Sequence, residues 1–168
     1  MIFLTVGTQL PFDRMVRAID TWAGGSNRRD IFGQIGPGKY RPANFQCQDF
    51  IDAQQFRQRV QNADIVVAHA GMGSIITALE LGKTILVMPR RAALGEHRND
   101  HQVATAERFK AQGRILVAFD ESDLLAQLTT LASLSQPTQT TPATPSSGAI
   151  SKTASPELLQ TLQRFVNA

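Results

Sequence analysis

The chain has 168 residues, 42% hydrophobic and 18% charged, which describes one globular domain and excludes a disordered chain. Its 17 basic and 14 acidic side chains leave a net charge of +3, too small a surplus to mark a nucleic-acid binder. The single cysteine, Cys47, excludes a disulfide framework and a cysteine-based zinc site; no apolar run reaches the roughly 18 residues that span a bilayer, and the opening lacks a basic n-region and cleavage site, so a cytoplasmic protein is expected.

Residues 2–6 are a short apolar run ending at Gly7, which suits a buried parallel strand. The spacing of Met15, Val16, Ile19 and Trp22 predicts a helix over 12–22. A second strand is expected over 31–35, a turn at Gly36-Pro37-Gly38, and a short third strand over 45–48. Residues 53–62 read as a polar helix with Phe56 and Val60 facing inward. A strand over 65–68, a helix over 74–81 and a strand over 84–88, stopped by Pro89, come next. A helix over 100–110, a strand over 115–118 and a helix over 122–131 complete the series. Trp22 and Phe56 lie on apolar stripes and are assigned to the core, Arg57 and Arg59 to a solvated face.

Between 133 and 155 the only charge is Lys152, and Ser, Thr, Pro137, Pro142 and Pro145 dominate, the composition of a flexible linker. Residues 156–168 follow as a short amphipathic helix with Leu158, Leu159, Leu162, Phe165 and Val166 on one stripe. It is marginal alone, so it docks on its own domain or a partner, or frays. Residues 1–132 alternate strand and helix, which argues for an α/β, Rossmann-like, doubly wound parallel sheet. Such sheets bind ligands beyond the carboxyl ends of their strands. The loops after Val6, Ala68 and Met88 are therefore the places for a site.

The loop His69-Ala70-Gly71-Met72-Gly73-Ser74 leads into a helix. Its glycines allow close backbone approach, and a helix N-terminus carries about half a positive charge, so a phosphate is the natural occupant. The alternative is a tight turn without a ligand, since Ile76 stands where a dinucleotide fingerprint has its third glycine. The first loop, Gly7-Thr8-Gln9-Leu10-Pro11, joins it on the same sheet edge. The third loop, residues 89–102, gathers Arg90, Arg91, Arg98, Glu96, Asp100, His97, His101 and Gln102, a donor and acceptor set suited to a hydroxyl-rich ligand or to a solvated helix start. His97 and His101 lie four apart, but no HExxH motif accompanies them and no metal is expected. Gly33 and Gly38-Lys39 match most of a phosphate-binding loop, yet Tyr40 replaces the magnesium-holding hydroxyl and Pro42 opposes a helix. No DxD pair is present.

Taken together, His69-Ala70-Gly71-x-Gly73-Ser74, Gly82-Lys83, Pro89-Arg90 and Glu96-His97-x-x-Asp100-His101-Gln102 resemble the carboxyl-terminal, donor-binding domain of family 28 glycosyltransferases. The opening Phe3-Leu4-Thr5-Val6-Gly7-Thr8-Gln9 with Pro11-Phe12-Asp13-Arg14 resembles the stand-alone Alg13-like subunits. Gly95-Glu96-His97-x-x-Asp100-His101-Gln102 resembles their bacterial PssE-type counterparts in exopolysaccharide synthesis. The resemblance runs from Met1 to about Phe119 and implies a single GT-B C-terminal half.

It also implies roles. Gly71, Met72, Gly73 and Ser74 hold the UDP diphosphate, and Gly7, Thr8 and Gln9 close over it. Phe50 and Ile51 cradle uracil through backbone contacts. Glu96, Asp100, His101 and Gln102 belong to the region that reads sugar hydroxyls. The family's ribose-binding Glu is missing: Thr77 stands five residues before Gly82, and Glu80 three later. Ribose recognition then falls to Thr77. The resemblance calls for no cofactor beyond the UDP-sugar substrate. His69 is placed near the phosphates as a candidate base, with the stronger expectation that the base lies on a partner. That partner is an Alg14/PssD-like membrane-associated subunit, which holds a lipid-linked acceptor and recruits this chain to the cytoplasmic face of the membrane. Glucuronate, galactose, glucose and GlcNAc stay open as donor sugars, with Arg90, Arg91 and Arg98 suited to a glucuronate carboxylate. Two other readings stand beside this one: a self-sufficient nucleotide-sugar epimerase or hydrolase on the same fold, and a non-catalytic nucleotide-binding or interaction module.

Overall fold

A computed structural model describes residues 1–134; the linker expected over 133–155, from 135 onward, and the helix expected over 156–168 lie outside the described residues. Six parallel strands form one sheet: β1 (Ile2–Thr5), β2 (Ile31–Gln34), β3 (Gln46–Gln48), β4 (Ile65–His69), β5 (Thr84–Met88) and β6 (Leu116–Val117). Their spatial order is β3-β2-β1-β4-β5-β6. The chain builds outward from β1 to β3, then returns to lay β4 on the other side of β1. Between β1 and β4 the order reverses, and Thr5 pairs with Ala68 there. A crevice forms outside the carboxyl ends at such a point.

Strand alternation divides the core into two layers. Ile2, Leu4, Val67, Leu86 and Met88 face α1 (Asp13–Gly25) and α5 (Glu121–Leu134), meeting Met15, Ile19, Leu124 and Leu128. Phe3, Val66, Ile85 and Val87 face α2 (Ala53–Asn62), α3 (Met72–Glu80) and α4 (His101–Ala111), meeting Val60, Ile75, Ala106 and Phe109. Burying each large apolar side chain contributes roughly 1.5–3 kcal/mol. With both faces covered, β1 and β4 read as continuous apolar runs.

Several boundaries differ from the expectations. Helix α3 starts at Met72, not 74, because Gly71 is the N-cap and Ser74 is already inside and buried. Helix α5 runs to Leu134, so Ser133 and Leu134 are helical and not the start of a linker. Asp100 lies outside α4. A short 3-10 turn, Ala92–Leu94, interrupts the third loop. Trp22 is half-buried on the α1–α5 seam, its indole N–H donating to Thr129 Oγ1 at 2.9 Å. Phe56 packs edge-on against Phe3, with centroids 5.5 Å apart. Arg57 is exposed, as expected, and pairs with Glu80 at 3.4 Å. Arg59 is half-buried, its guanidinium 3.6 Å from the Phe32 ring centroid, so cation–π attraction and not solvent fixes it.

Candidate functional site

The loops after β1, β4 and β5 meet at the reversal of strand order and enclose a crevice of about 610 Å³, within the range of small-ligand sites. Gly7, Thr8 and Gln9 line it from the first loop. Gly7 has φ +77°, and a Cβ there would lie 2.7 Å from His69 Cε1. Backbone conformation and close packing both require glycine. The Gly7 N–H donates to Thr5 Oγ1 at 3.2 Å, and that hydroxyl donates to Gln34 Oε1 at 3.0 Å. Thr5 and Gln34 are buried and line the floor. Neither was expected; the available signal was a polar residue closing an otherwise apolar strand.

Gly71, Gly73, Ser74 and Thr77 line the crevice from α3. A Cβ on Gly71 would stand 2.1 Å from His69 Nε2, so the imidazole fills the space that glycine leaves. A Cβ on Gly73 would meet nothing within 4 Å; that position faces open space. The free amides of the first turn of α3 supply partial positive charge here. The Thr77 hydroxyl donates to the Gly73 carbonyl at 2.8 Å and keeps its oxygen as an acceptor. Met72 packs into the α2–α3–α4 core layer and does not line the crevice.

His69 closes β4 in the crevice wall. Burial, then the neighbouring Arg90 and His97, push its pKa down to about 4, against the pull of the Thr5 backbone. The ring is neutral at pH 7 and a weak base. Its Nδ1 is buried with no hydrogen-bond partner among the described residues.

The third loop departs most from expectation. Arg90 is 3% exposed. Its guanidinium donates to the carbonyls of Leu10 at 2.6 Å, Val6 at 2.7 Å and Pro11 at 3.4 Å, and its carbon lies 5.0 Å from the Phe12 ring centroid. Burial lowers its pKa to about 10, opposed by Glu96. This side chain fastens the first loop and is not free for a sugar carboxylate. Arg91 donates to the Phe119 carbonyl at 2.7 Å. Arg98 is exposed and does not line the crevice. Glu96 is likewise committed: its carboxylate accepts from Arg14 at 2.7 and 2.9 Å and from the Arg91 N–H at 3.0 Å. Burial opposes the charge on Arg14, but bonds to Glu96 and Glu121 hold its pKa above the ordinary value. Asp100 accepts from the Ala92 N–H at 2.8 Å. Neither carboxylate lines the crevice.

His97, His101 and Gln102 do line it. The two imidazoles meet edge to face with centroids 4.4 Å apart. Gln102 Oε1 accepts from the Arg90 N–H at 3.1 Å, leaving its amide N–H groups for the crevice. Ile51, Ala53 and Phe56 line it as well. Phe50 is 53% exposed and lines a separate shallow hollow with Cys47 and Gln48. Among the described residues no three His, Cys, Asp or Glu side chains converge as a metal cage would require, and no helix is long and apolar enough to cross a membrane.

The chain is similar to the UDP-N-acetylglucosamine transferase subunit ALG13 of Homo sapiens, with 29% identity over 126 residues, 68% of this chain and 10% of that protein. The Mus musculus protein of the same name is 30% identical over 87 residues, 49% of this chain and 7% of that one. The chain thus spans about a tenth of the length of these relatives. In fold it is similar to the kitacinnamycin glycosyltransferase, with a TM-score of 0.59 at 21% identity over 79% of this chain and 34% of that one. The MurG protein of Acinetobacter baumannii gives a TM-score of 0.50 at 22% identity over 78% and 40%. The architecture is that of the Rossmann-like half of a GT-B glycosyltransferase. The glycosyltransferase family 28 C-terminal domain matches residues 1–160, past the neighbourhood of Phe119 to which the resemblance was expected to run, and the chain belongs to that family.

Proposed function

We infer that this chain is the donor-binding subunit of an inverting, metal-independent glycosyltransferase that uses a UDP-sugar. The observation that carries the reading is the convergence of the Gly7 loop, the Gly71–Gly73 helix start and the Gln102 helix start on one crevice where the strand order reverses. In this reading the diphosphate sits at the N-terminus of α3, uracil lies toward Ile51 and Phe56, and Thr77 meets the ribose. The sugar faces His101 and Gln102. Transfer needs stabilisation of the leaving diphosphate and a base for the acceptor hydroxyl. The first turn of α3 supplies the former. A neutral, buried His69 is a poor base, which favours a base on a membrane-associated Alg14/PssD-like partner that also holds a lipid-linked acceptor. The commitment of Arg90 and Arg91 to backbone carbonyls favours an uncharged hexose over glucuronate, and the names of the two relatives add weight to GlcNAc. Surface polysaccharide assembly is the corresponding setting.

Calorimetric titration of the chain with UDP, with AMP as control and no added metal, tests the reading. Selective UDP binding is expected. Equal affinity for UDP and AMP overturns it, and turnover of a UDP-sugar by the chain alone overturns the subunit assignment in favour of an epimerase or hydrolase.

A further inference from the structure

The charges around the crevice are poorly matched to the ligand proposed for it. A nucleotide diphosphosugar carries two negative charges, and among the described residues Arg90 is the only Lys, Arg, Asp or Glu in the crevice lining. Its guanidinium is already engaged with three carbonyls. The helix N-terminus offers about half a charge. The remaining candidates are His69, His97 and His101, which are all the histidines of the chain and all line this crevice.

They are not equivalent. His69 is packed behind Gly7 and Gly71 and faces Arg90. His97, from the third loop, and His101, at the start of α4, are in edge-to-face contact. The Nδ1 of His97 is buried with no hydrogen-bond partner among the described residues, and that of His101 meets Asn99 Oδ1. Among the described residues the two carboxylates of this loop are occupied: Glu96 by Arg14 and the Arg91 N–H, Asp100 by the Ala92 N–H. Arg90 comes from the end of β5, His69 from β4 and exposed Arg98 from the same loop, while α3 presents no charged side chain to the crevice. In the free chain burial and then the neighbouring His97 disfavour a proton on His101, and an entering dianion reverses the balance.

Resting on the donor reading above, we propose that the His97–His101 pair is the anion-compensating element of the site, taking up one proton when a nucleotide diphosphosugar binds. The two rings share that single proton because a second would face the first. His97 thereby becomes a ligand-facing residue of the site. By linkage, the ligand binds more tightly as pH falls, by at most about tenfold per pH unit for one proton.

UDP-glucose is the probe, because its diphosphodiester does not titrate near neutrality. It is titrated into the chain at constant pH in buffers of different ionisation enthalpy, and again between pH 6 and 8. The observed enthalpy is expected to vary linearly with buffer enthalpy, reporting uptake of about 0.3–0.5 proton averaged over the range, and affinity to weaken by about 4–10-fold between pH 6 and 8. His97→Gln and His101→Gln should each abolish the uptake and flatten the profile, lowering the affinity at pH 6 toward that at pH 8. His101 is exposed, so its variant serves if the His97 variant fails to fold. Binding with a buffer-independent enthalpy overturns the proposal alone. Uptake that survives both substitutions and disappears in His69→Gln overturns the assignment to the pair. Absence of UDP-glucose binding at every pH overturns the donor reading and the proposal with it.

Discussion

Arg90 and Glu96 illustrate how single side chains arrange this site without contacting a ligand. In the sequence both sit in a polar loop and look like ligand readers. In the fold their partners lie 84 residues away at Val6 and 82 away at Arg14, a pairing that loop composition cannot reveal. Gly7, Gly71 and Gln102 were legible because their requirements are local: a loop after a strand, close approach to a helix start, a polar residue opening a helix. Arg90→Lys keeps a charge but replaces a planar fork by a compact ammonium that cannot serve three carbonyls. Urea unfolding should show a loss of about 2–4 kcal/mol. UDP affinity, read by calorimetry, should fall at least tenfold as the first loop loosens.

At the level of elements, most strands and helices are written in the sequence by their periodicity, and the misplaced ends have identifiable causes. The helix was expected to open at Ser74, yet α3 begins at Met72 because Gly71 already turns the chain beneath the His69 ring. The end of α5 was set too early because Ser133 and Ser135 resemble linker residues. Two glycines on one helix start therefore have opposite tolerances. Gly73→Ala meets no atom and should stabilise α3 by about 0.5–1 kcal/mol, while its methyl should intrude on the proposed diphosphate position and weaken UDP binding. Gly71→Ala drives a methyl into the His69 imidazole and should cost about 1–3 kcal/mol. Thermal melts and UDP titrations of the pair separate packing from ligand approach, and equal behaviour of the two variants would contradict this account of the turn.

For the molecule as a whole, the doubly wound sheet was readable from the alternation of elements, whereas the two-layer division of the core and the closed charge network of the third loop needed the tertiary structure. Stability against pH follows from that structure. The His69 pKa is about 4 in the fold and near 6.5 when unfolded. Between these values the unfolded chain binds a proton that the native ring refuses, so stability falls as pH falls from 6.5 to 4, by up to about 3 kcal/mol. His101, also lowered by burial and then by His97, acts in the same direction. Asp20 acts later. Burial opposes its charge, but the Tyr40 hydroxyl and the Asn44 and Ala43 amides hold its pKa below 3.8, so its contribution is lost only below that pH. Urea unfolding at stepped pH should therefore show an acid limb starting near 6.5, and His69→Gln should flatten its upper part. The indole of Trp22 gives the molecule an optical channel of its own. It is the only tryptophan, it bonds to Thr129 on α5, and it lies outside the crevice lining. Its fluorescence will follow the α1–α5 seam and stay dark to an occupant that leaves the seam unmoved; a change in emission on adding a nucleotide would mean that motion had crossed the sheet.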